Sequence, residues 1–383
     1  MLLERIFNFF TSLRLTVVCL CLALVLVFIG TLAQVDAGLY NVQNRYFRSL
    51  LIYWTPKGAD WRIPVFPGGY LIGGVLLINL LAAHAKRFQF TKKKIGIFII
   101  HAGIILLLLG QFSTDLLSNE SAMHIREGAS ANYSQATRSF ELAVIDTTDA
   151  ETDKVVAIPE HRLRKRGDIS HAELPFTIRV KTFYANSSLT EKAANGYQEV
   201  KTTAGFGADL WWRELPHEAE MDKRDMPSGI VELVTAQGSL GTYLISGFVA
   251  RPQQLSHNGH NYQLVLRAER FYKPFSLHLI DFKFDRYAGT DKPKNFSSRV
   301  RLQRPGTGED REVVIYMNNP LRYAGETFFQ ADWDKEDEKG TILQVVHNPS
   351  WLTPYFSCVL VALGLIVQFM SHLIGFAKKR RTA

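Results

Sequence analysis

The sequence predicts a membrane protein in which four transmembrane α-helices carry a large extracytoplasmic β-rich domain, sandwich- or barrel-like, between helices three and four. Three observations lead to this fold class: four long apolar windows, basic residues gathered beside them, and alternating apolar and polar residues in the segment 115–350. Averages over the whole chain hide these features. With 383 residues, 47% of them hydrophobic, and a net charge of +8, the averages alone suggest a basic soluble protein.

Four windows of the sequence are apolar and long enough to cross a bilayer, at about 1.5 Å per residue and a hydrocarbon core of about 30 Å. They cover residues 15–33, 66–84, 95–112 and 355–377. The first is longer than the apolar region of a signal peptide, about 7–15 residues, so we expect a retained helix. The windows exclude a purely soluble, a disordered or a disulfide-stapled secreted protein. The predicted divisions are a membrane domain (1–114), a β-rich domain (115–350) and the fourth helix with its tail (351–383).

Basic residues beside the windows predict the orientation of the helices. The segments 1–14 and 85–94 and the tail after Ala377 together hold eleven basic residues and one acidic residue, whereas the loop 34–65 has four basic residues. By the positive-inside rule both termini are cytoplasmic, and 115–350 lies outside. The charges therefore indicate that the chain lies in a lipid bilayer. They do not indicate nucleic-acid binding, which needs basic residues clustered on a folded domain. Without a transit peptide, the chain is expected in a bacterial inner membrane.

The segment 115–350 has the pattern of short strands separated by turns. Residues 176–183 alternate apolar and polar with a period of two, and residues 275–284 do so with one slip. Further runs of strand-like composition are 140–145, 230–235, 242–248, 262–266, 300–302, 313–316 and 342–346. Nine or ten short strands at this spacing predict an antiparallel sandwich or barrel. We expect loops or short helices at 185–205 and 211–226.

No motif in the β-rich domain demands an active site, so we assign no catalytic residue. The sequence has no glycine-rich phosphate loop, HExxH, CxxC, CxxCH or G-x-S-x-G motif. The three cysteines, Cys19, Cys21 and Cys358, lie in predicted helices, which leaves this domain without thiol chemistry. Among its histidines only His257 and His260 are close, as either a metal-binding pair or a solvated turn.

His101 is the only ionisable residue in the third apolar window, roughly 9 Å beyond its cytoplasmic start. Ionisable groups at such depth are costly and usually face protein, water or a ligand. Gly96, Gly103 and Gly110 recur every seven residues and predict a seam of close helix packing. His101 lies about 140–180° from them on a helical wheel, on a face expected to be lipid-directed. Either a neighbouring helix or an apolar ligand that carries a metal, such as haem, would satisfy it.

Other features of the membrane domain have simpler interpretations. His84 ends the second window and His372 lies in the fourth, and each is expected to reach the membrane–water interface. Gly69 and Gly73 form a GxxxG pair, which is a packing signal. Five basic residues between the second and third windows either set topology alone or also attract the propionates of a haem. These are Lys86, Arg87, Lys92, Lys93 and Lys94.

Stretches near the start, in the third window and late in the β-rich domain match the pattern of one family. They are Ser12–Thr16, Gly96–Gly110, Asp281-Phe282, Tyr287–Thr290, Phe296–Ser298, Met317–Gln330 and Asn348-Pro349. Through them the chain resembles the ResB (also called CcsB) family of System II cytochrome c biogenesis proteins. The stretch Asn318–Gln330 is the most specific, and residues 150–225 resemble the family only loosely.

The resemblance implies an accessory subunit of a membrane cytochrome c synthase, or haem lyase. Such a subunit pairs with a CcsA-type protein bearing a Trp-rich WWD domain. Together they move haem b to the outer face, where its vinyl groups are joined to the CxxCH thiols of apocytochrome c. The resemblance also implies that His101 is an axial haem ligand, the only metal contact expected, with the second ligand from the partner. Trp211-Trp212 is no WWD motif, and thiol reduction would fall to thioredoxin-like proteins.

Two alternatives stay open. The first is a b-type electron-transfer subunit that also uses His101, although no second histidine is expected at the same depth in another window. The second is a membrane-tethered scaffold without haem, in which His101 is structural. Haem absorbance spectra of the chain with its partner distinguish the three classes.

Overall fold

The computed structural model describes residues 2–56, 61–87, 94–218, 223–249, 251–290, 293–335 and 338–381. These residues form two compact units, which we call the helical unit and the strand unit. The helical unit contains the described residues of 2–119 and 348–381, and the strand unit contains those of 120–347. In chain order the strand unit follows the third long helix and precedes the fourth.

Four long helices dominate the helical unit. The helices of the described residues are α1 (Leu2–Phe10), α2 (Leu13–Ala37), α3 (Leu39–Val42), α4 (Gly69–Arg87), α5 (Ile95–Leu117), α6 (Glu160–Arg164) and α7 (Thr353–Arg381), with a π-helical turn at Gln43–Phe47. Of these, α2, α4, α5 and α7 are long and apolar enough to cross a membrane, which confirms the four predicted helices. The second starts later than its window predicts, because β2 (Ile63–Pro67) pairs with β1 (Leu51–Trp54) before α4 begins.

A seam of glycines packs α5 against α7. A Cβ atom added to Gly96 would lie 2.7 Å from the backbone nitrogen of Gln368, and one added to Gly103 would lie 2.7 Å from a methyl group of Val361. Both glycines are buried, as is Gly110 two turns further along. The seven-residue glycine repeat is therefore confirmed as a packing seam, because only the missing side chains permit so close an approach.

A buried amide joins α4 to the break between α1 and α2. The Nδ2 atom of Asn79 donates hydrogen bonds to the backbone oxygens of Phe10, at 2.6 Å, and Ser12, at 3.1 Å. Its Oδ1 atom accepts a hydrogen bond from the Thr16 hydroxyl at 2.6 Å. Since an unpaired amide is costly in an apolar environment, these bonds hold the three helices in one arrangement.

The strand unit consists of one ten-stranded sheet and two smaller sheets. Its strands are β3 (Asn119–Arg126), β4 (Ser130–Asp146), β5 (Lys154–Pro159), β6 (Gly167–Ile169), β7 (Thr177–Tyr184), β8 (Ser187–Thr190), β9 (Gln198–Glu199), β10 (Trp211–Glu214), β11 (Ser228–Thr235), β12 (Gly238–Ser246), β13 (Gln253–His257), β14 (His260–Arg286), β15 (Pro293–Arg304), β16 (Glu309–Tyr316), β17 (Leu321–Tyr323), β18 (Glu326–Trp333) and β19 (Gly340–His347). The large sheet has the order β16-β15-β14-β4-β3-β19-β18-β17, with β5 paired to β4 and β13 paired to β14. Contacts between β16 and β18 make it nearly barrel-like. The smaller sheets have the orders β12-β11-β7-β6 and β8-β10-β9.

The predicted strands are present, and two of them belong to one long strand. The runs 262–266 and 275–284 are both parts of β14. The slip predicted in the second run is a register shift between Leu279 and Asp281, where β14 pairs with β15. Leu279 is buried before the shift and Phe282 is buried after it. The extra residue keeps both side chains in the same apolar core, although the strict period of two is broken.

The expectation of loops or short helices at 185–205 and 211–226 is confirmed for most of their described residues, which are loops, and is wrong for three short strands. These segments contain the three strands β8, β9 and β10, which pair with one another. Trp212 of β10 is 3% exposed and packs with Val200, Ile230 and Leu244 in a small core of its own. Burial of this large side chain against residues distant in the sequence favours a strand here, although the local sequence is polar and has no strand pattern.

Candidate functional site

His101 lies in α5, less than two turns from the start of that helix and on the side away from the glycine seam. Its ring is half-buried. The Nδ1 atom is buried and has no hydrogen-bond partner among the described residues. A buried ring nitrogen without a partner is costly, and nothing among the described residues offsets that cost at this atom.

The ring beside His101 belongs to His84 of α4. The two ring centroids are 4.8 Å apart, and the ring planes meet at 72° in an edge-to-face contact. His84 also lies 5.7 Å from the ring of Phe98, one turn before His101. Two imidazoles from two membrane-crossing helices therefore share one partly apolar site.

This contact corrects three expectations. His101 does not face lipid alone, because α4 of the same chain covers part of its ring. His84 does not simply extend to the membrane–water interface, because its ring is half-buried against the aromatic rings of α5. A second histidine does lie near the depth of His101 in another helix. The connection 88–94 is short, so α4 and α5 run antiparallel from it. Residues close to its two ends are therefore brought together. This spacing was the signal in the sequence that His84 and His101 could lie close to each other.

The geometry limits what the two histidines can do. Two imidazoles on opposite sides of one metal ion have centroids about 6 Å apart, given metal–nitrogen bonds of about 2 Å. At 4.8 Å the rings of His84 and His101 are too close for that arrangement. One ring can bind a metal centre while the other orients it, as the neighbours of metal-binding histidines commonly do.

Basic residues predicted to attract propionates lie near the same ends of α4 and α5. Lys86 donates a hydrogen bond to the side chain of Asn8, and its Nζ atom lies 3.4 Å from the Thr11 hydroxyl. Lys94 is exposed and directly precedes α5. The side chain of Arg87 and the whole of Lys92 and Lys93 lie outside the described residues, so propionate attraction stays a prediction.

His260 of the strand unit is paired with a carboxylate. His257 and His260 flank a tight turn in which Asn258 and Gly259 have φ angles of 52° and 80°. The Nδ1 atom of His260 lies 2.8 Å from a carboxylate oxygen of Asp146. Hydrogen bonds from Thr148 and, less strongly, from His260 hold the pKa of Asp146 below its usual value. Within the described residues, no group of three or more His, Cys, Asp or Glu side chains is arranged to hold a metal ion.

Comparison with known proteins shows which sequences this chain is similar to. The chain is 28% identical over 309 residues to Protein NrfI of Wolinella succinogenes, a match that covers 79% of this chain and 30% of that protein. A shorter match, 41% identical over 58 residues, is to the Cytochrome c biogenesis protein CcsB of Prochlorococcus marinus and covers 15% of this chain and 13% of that protein. The chain thus spans less than a third of the length of NrfI. The model of the ResB-like family matches residues 248–342, and the resemblance of this chain to the ResB family is thereby confirmed.

Proposed function

We propose that this chain is a ResB-like subunit of a membrane cytochrome c synthase. With a CcsA-type WWD partner, it moves haem b from the cytoplasm to the outer face for attachment to the CxxCH motif of apocytochrome c. The observation that carries the proposal is the partly buried histidine pair in α4 and α5, with its unpartnered ring nitrogen. The ResB-like sequence of residues 248–342 supports it.

The chemistry of His101 supports haem binding. Histidine is a common axial ligand of haem iron, and the Nδ1 atom of His101 has no hydrogen-bond partner among the described residues. When bound, the haem supplies the vinyl groups that become joined to the thiols of the apocytochrome. The residues of this chain would bind and orient it: His101 as the residue that holds the iron, and His84 as the ring that fixes the orientation of His101.

A second haem ligand would come from the CcsA-type partner. The 4.8 Å separation of the His84 and His101 rings argues against both serving one iron. The same distance weighs against a b-type electron-transfer subunit in which this chain supplies both ligands. His84 nevertheless gives that second candidate function a specific residue.

The orientation in the membrane follows from the charges. The lysine-rich ends of α4 and α5 are cytoplasmic by the positive-inside rule, so haem reaches His101 from that side of a bacterial inner membrane. The strand unit is then extracytoplasmic and docks the partner or the apocytochrome. The three cysteines of the chain lie in α2 and α7, so a thioredoxin-like protein supplies the reduction of the apocytochrome thiols.

The ligand assignment is tested on the chain purified with its CcsA-type partner. His101→Gly should lose the haem absorbance bands and regain them when free imidazole is added. The matched control is His372→Gly, since His372 lies in another membrane-crossing helix and bonds to Gln368; it should retain the haem. A haem spectrum that persists in His101→Gly without imidazole would overturn the assignment.

The synthase role and the propionate role have separate tests. Deletion of the gene should abolish the c-type cytochromes of the cell, and a normal set of them would contradict the synthase function. Substitution of Lys92, Lys93 and Lys94 by glutamine should lower haem occupancy with an unchanged topology of the termini. If occupancy is unchanged, the lysines only set topology.

A further inference from the structure

A cavity of about 720 Å³ lies in the helical unit, at the opposite end of α4 and α5 from the histidine pair. Its walls come from α2, α3, the π-helical turn, α4 and α5. Leu77 and Leu108 line one part of it, and Asp115 lies about 10 Å further along α5, at seven residues of about 1.5 Å each. The cavity is therefore elongated, with an apolar end at the two leucines and a more polar end at Asp115.

Glycines on α4 keep this cavity open. Cβ atoms added to Gly73 and Gly74 would have no atom within 4 Å. Gly69, by contrast, packs on the backbone of Phe47, so a Cβ atom there would lie 2.4 Å from a carbonyl oxygen. The prediction that the GxxxG pair marks close packing is thus confirmed for Gly69, which packs on the backbone of Phe47. It is wrong for Gly73, which faces empty space.

The charges at the polar end of the cavity neutralise each other. The Nε atom of Arg48 lies 2.8 Å from a carboxylate oxygen of Asp115, and Asp115 also accepts a hydrogen bond from the Tyr70 hydroxyl. The other polar side chains on the walls are uncharged and include the amides of Gln34 and Gln111. Among the described lining residues, no unpaired charge is left to bind an anionic or cationic headgroup.

We infer that this cavity binds a quinone or quinol, a neutral ring with oxygen substituents and an isoprenoid tail. The amides of Gln34 and Gln111 would donate hydrogen bonds to the ring oxygens, and the apolar end at Leu77 and Leu108 would take the start of the tail. Binding pockets for compounds of this size have volumes of about 300–1,000 Å³ with a few polar groups on apolar walls. A haem fits poorly, because two propionates would need cations and Arg48 is already paired. A phospholipid headgroup fits poorly for the same reason.

The test uses the full chain in lipid nanodiscs and an azido-substituted benzoquinone with a short isoprenoid tail. Photolabelling should modify peptides of α2, α4 or α5 that line the cavity, and an unlabelled quinone should compete. Gly74→Leu, which fills the cavity, should lower labelling at least tenfold. Gln111→Leu, which keeps the volume and removes one amide, should weaken binding about fivefold, as expected for one hydrogen bond of about 1 kcal/mol.

The matched control is Gly375→Leu. Gly375 is exposed in α7, and a Cβ atom there also has no atom within 4 Å, so labelling should equal that of the parent chain. Labelling that is unchanged in both Gly74→Leu and Gln111→Leu would overturn the inference. So would competition by an anionic phospholipid but not by the quinone. The assay contains no haem, so its outcome is independent of the proposed synthase function.

Discussion

The imidazole of His84 lies edge-to-face against the imidazole of His101, with 4.8 Å between the ring centroids. The contact joins α4 to α5 near the lysine-rich connection between them. It limits the rotation of the His101 ring, which has a buried nitrogen without a hydrogen-bond partner among the described residues. The position of His84 therefore predicts a measurable effect on any ligand that His101 binds.

The first prediction concerns His84→Phe. Phenylalanine keeps an aromatic ring against His101 but removes both nitrogens, so it tests whether the imidazole of His84 contributes more than its packing. We expect haem occupancy with the partner to fall about tenfold, the lower end of losses seen when neighbours of a metal-binding histidine are changed. Titration of haem into the purified complex measures this, and added imidazole should not restore it. Full occupancy in His84→Phe would show that packing alone positions His101.

The second prediction concerns the seam between α5 and α7. Leucine at Gly103 must displace Val361, whose methyl group lies 2.7 Å from the site of the new Cβ atom. We expect a loss of about 1–3 kcal/mol in stability, typical of overpacking, measured as a lower thermal midpoint in detergent. Leucine at exposed Gly375 of α7 should leave the midpoint unchanged or raise it, because leucine favours a helix more than glycine does. Equal effects at the two positions would contradict a packing role for the seam.

The sequence predicts the membrane helices and the glycine seam well because both depend on local patterns. Window length determines whether a helix can cross the bilayer, and a seven-residue repeat places Gly96, Gly103 and Gly110 on one side of α5 whatever that side contacts. The slip within 275–284 is also visible locally, since a bulge shifts the period of apolar residues at Leu279.

Long-range contacts could not be predicted in the same way. The neighbour of His101 depends on how α4 is rotated, and that rotation is fixed partly by Asn79 and its bonds to the α1–α2 break. Likewise, β14 pairs with β4, more than 100 residues earlier in the chain. Neither relationship leaves a periodic signal in the sequence. The short connection between α4 and α5 indicates that His84 and His101 lie at the same end of the two helices, but their ring contact and the sheet order emerge only from the fold.

The third prediction is a pH dependence of the strand unit. Arg301 of β15 donates hydrogen bonds to both carboxylate oxygens of Asp310 in β16, at 2.5 and 2.7 Å. These bonds hold the pKa of Asp310 below its usual value. Since the pKa is lower in the folded state, the stabilisation is present above the unfolded pKa of about 3.9 and is lost as the pH falls through the folded pKa.

We therefore expect Asp310→Asn to lower the thermal midpoint at neutral pH but not at a pH well below 3.9. Thermal scans of the full chain across this range measure the difference. The exposed Asp209 offers a control, and Asp209→Asn should change the midpoint little at either pH. A deficit in Asp310→Asn that persists at low pH would mean that the substitution acts through packing and not through the charge.

The last prediction concerns the ion pair of Lys273 in β14 and Glu326 in β18, whose side chains are only 7% and 15% exposed. A buried charge is costly without its partner, so removing one member costs more than removing both. Glu326→Gln leaves the Lys273 ammonium group unpaired and should lower the free energy of unfolding by about 3 kcal/mol. The double variant Lys273→Met/Glu326→Leu should regain most of that loss, because two apolar side chains can fill the space without a charge. Urea unfolding followed by tryptophan fluorescence measures both. If the double variant is as unstable as Glu326→Gln, the pair contributes through its own bond and not through the penalty of a lone charge.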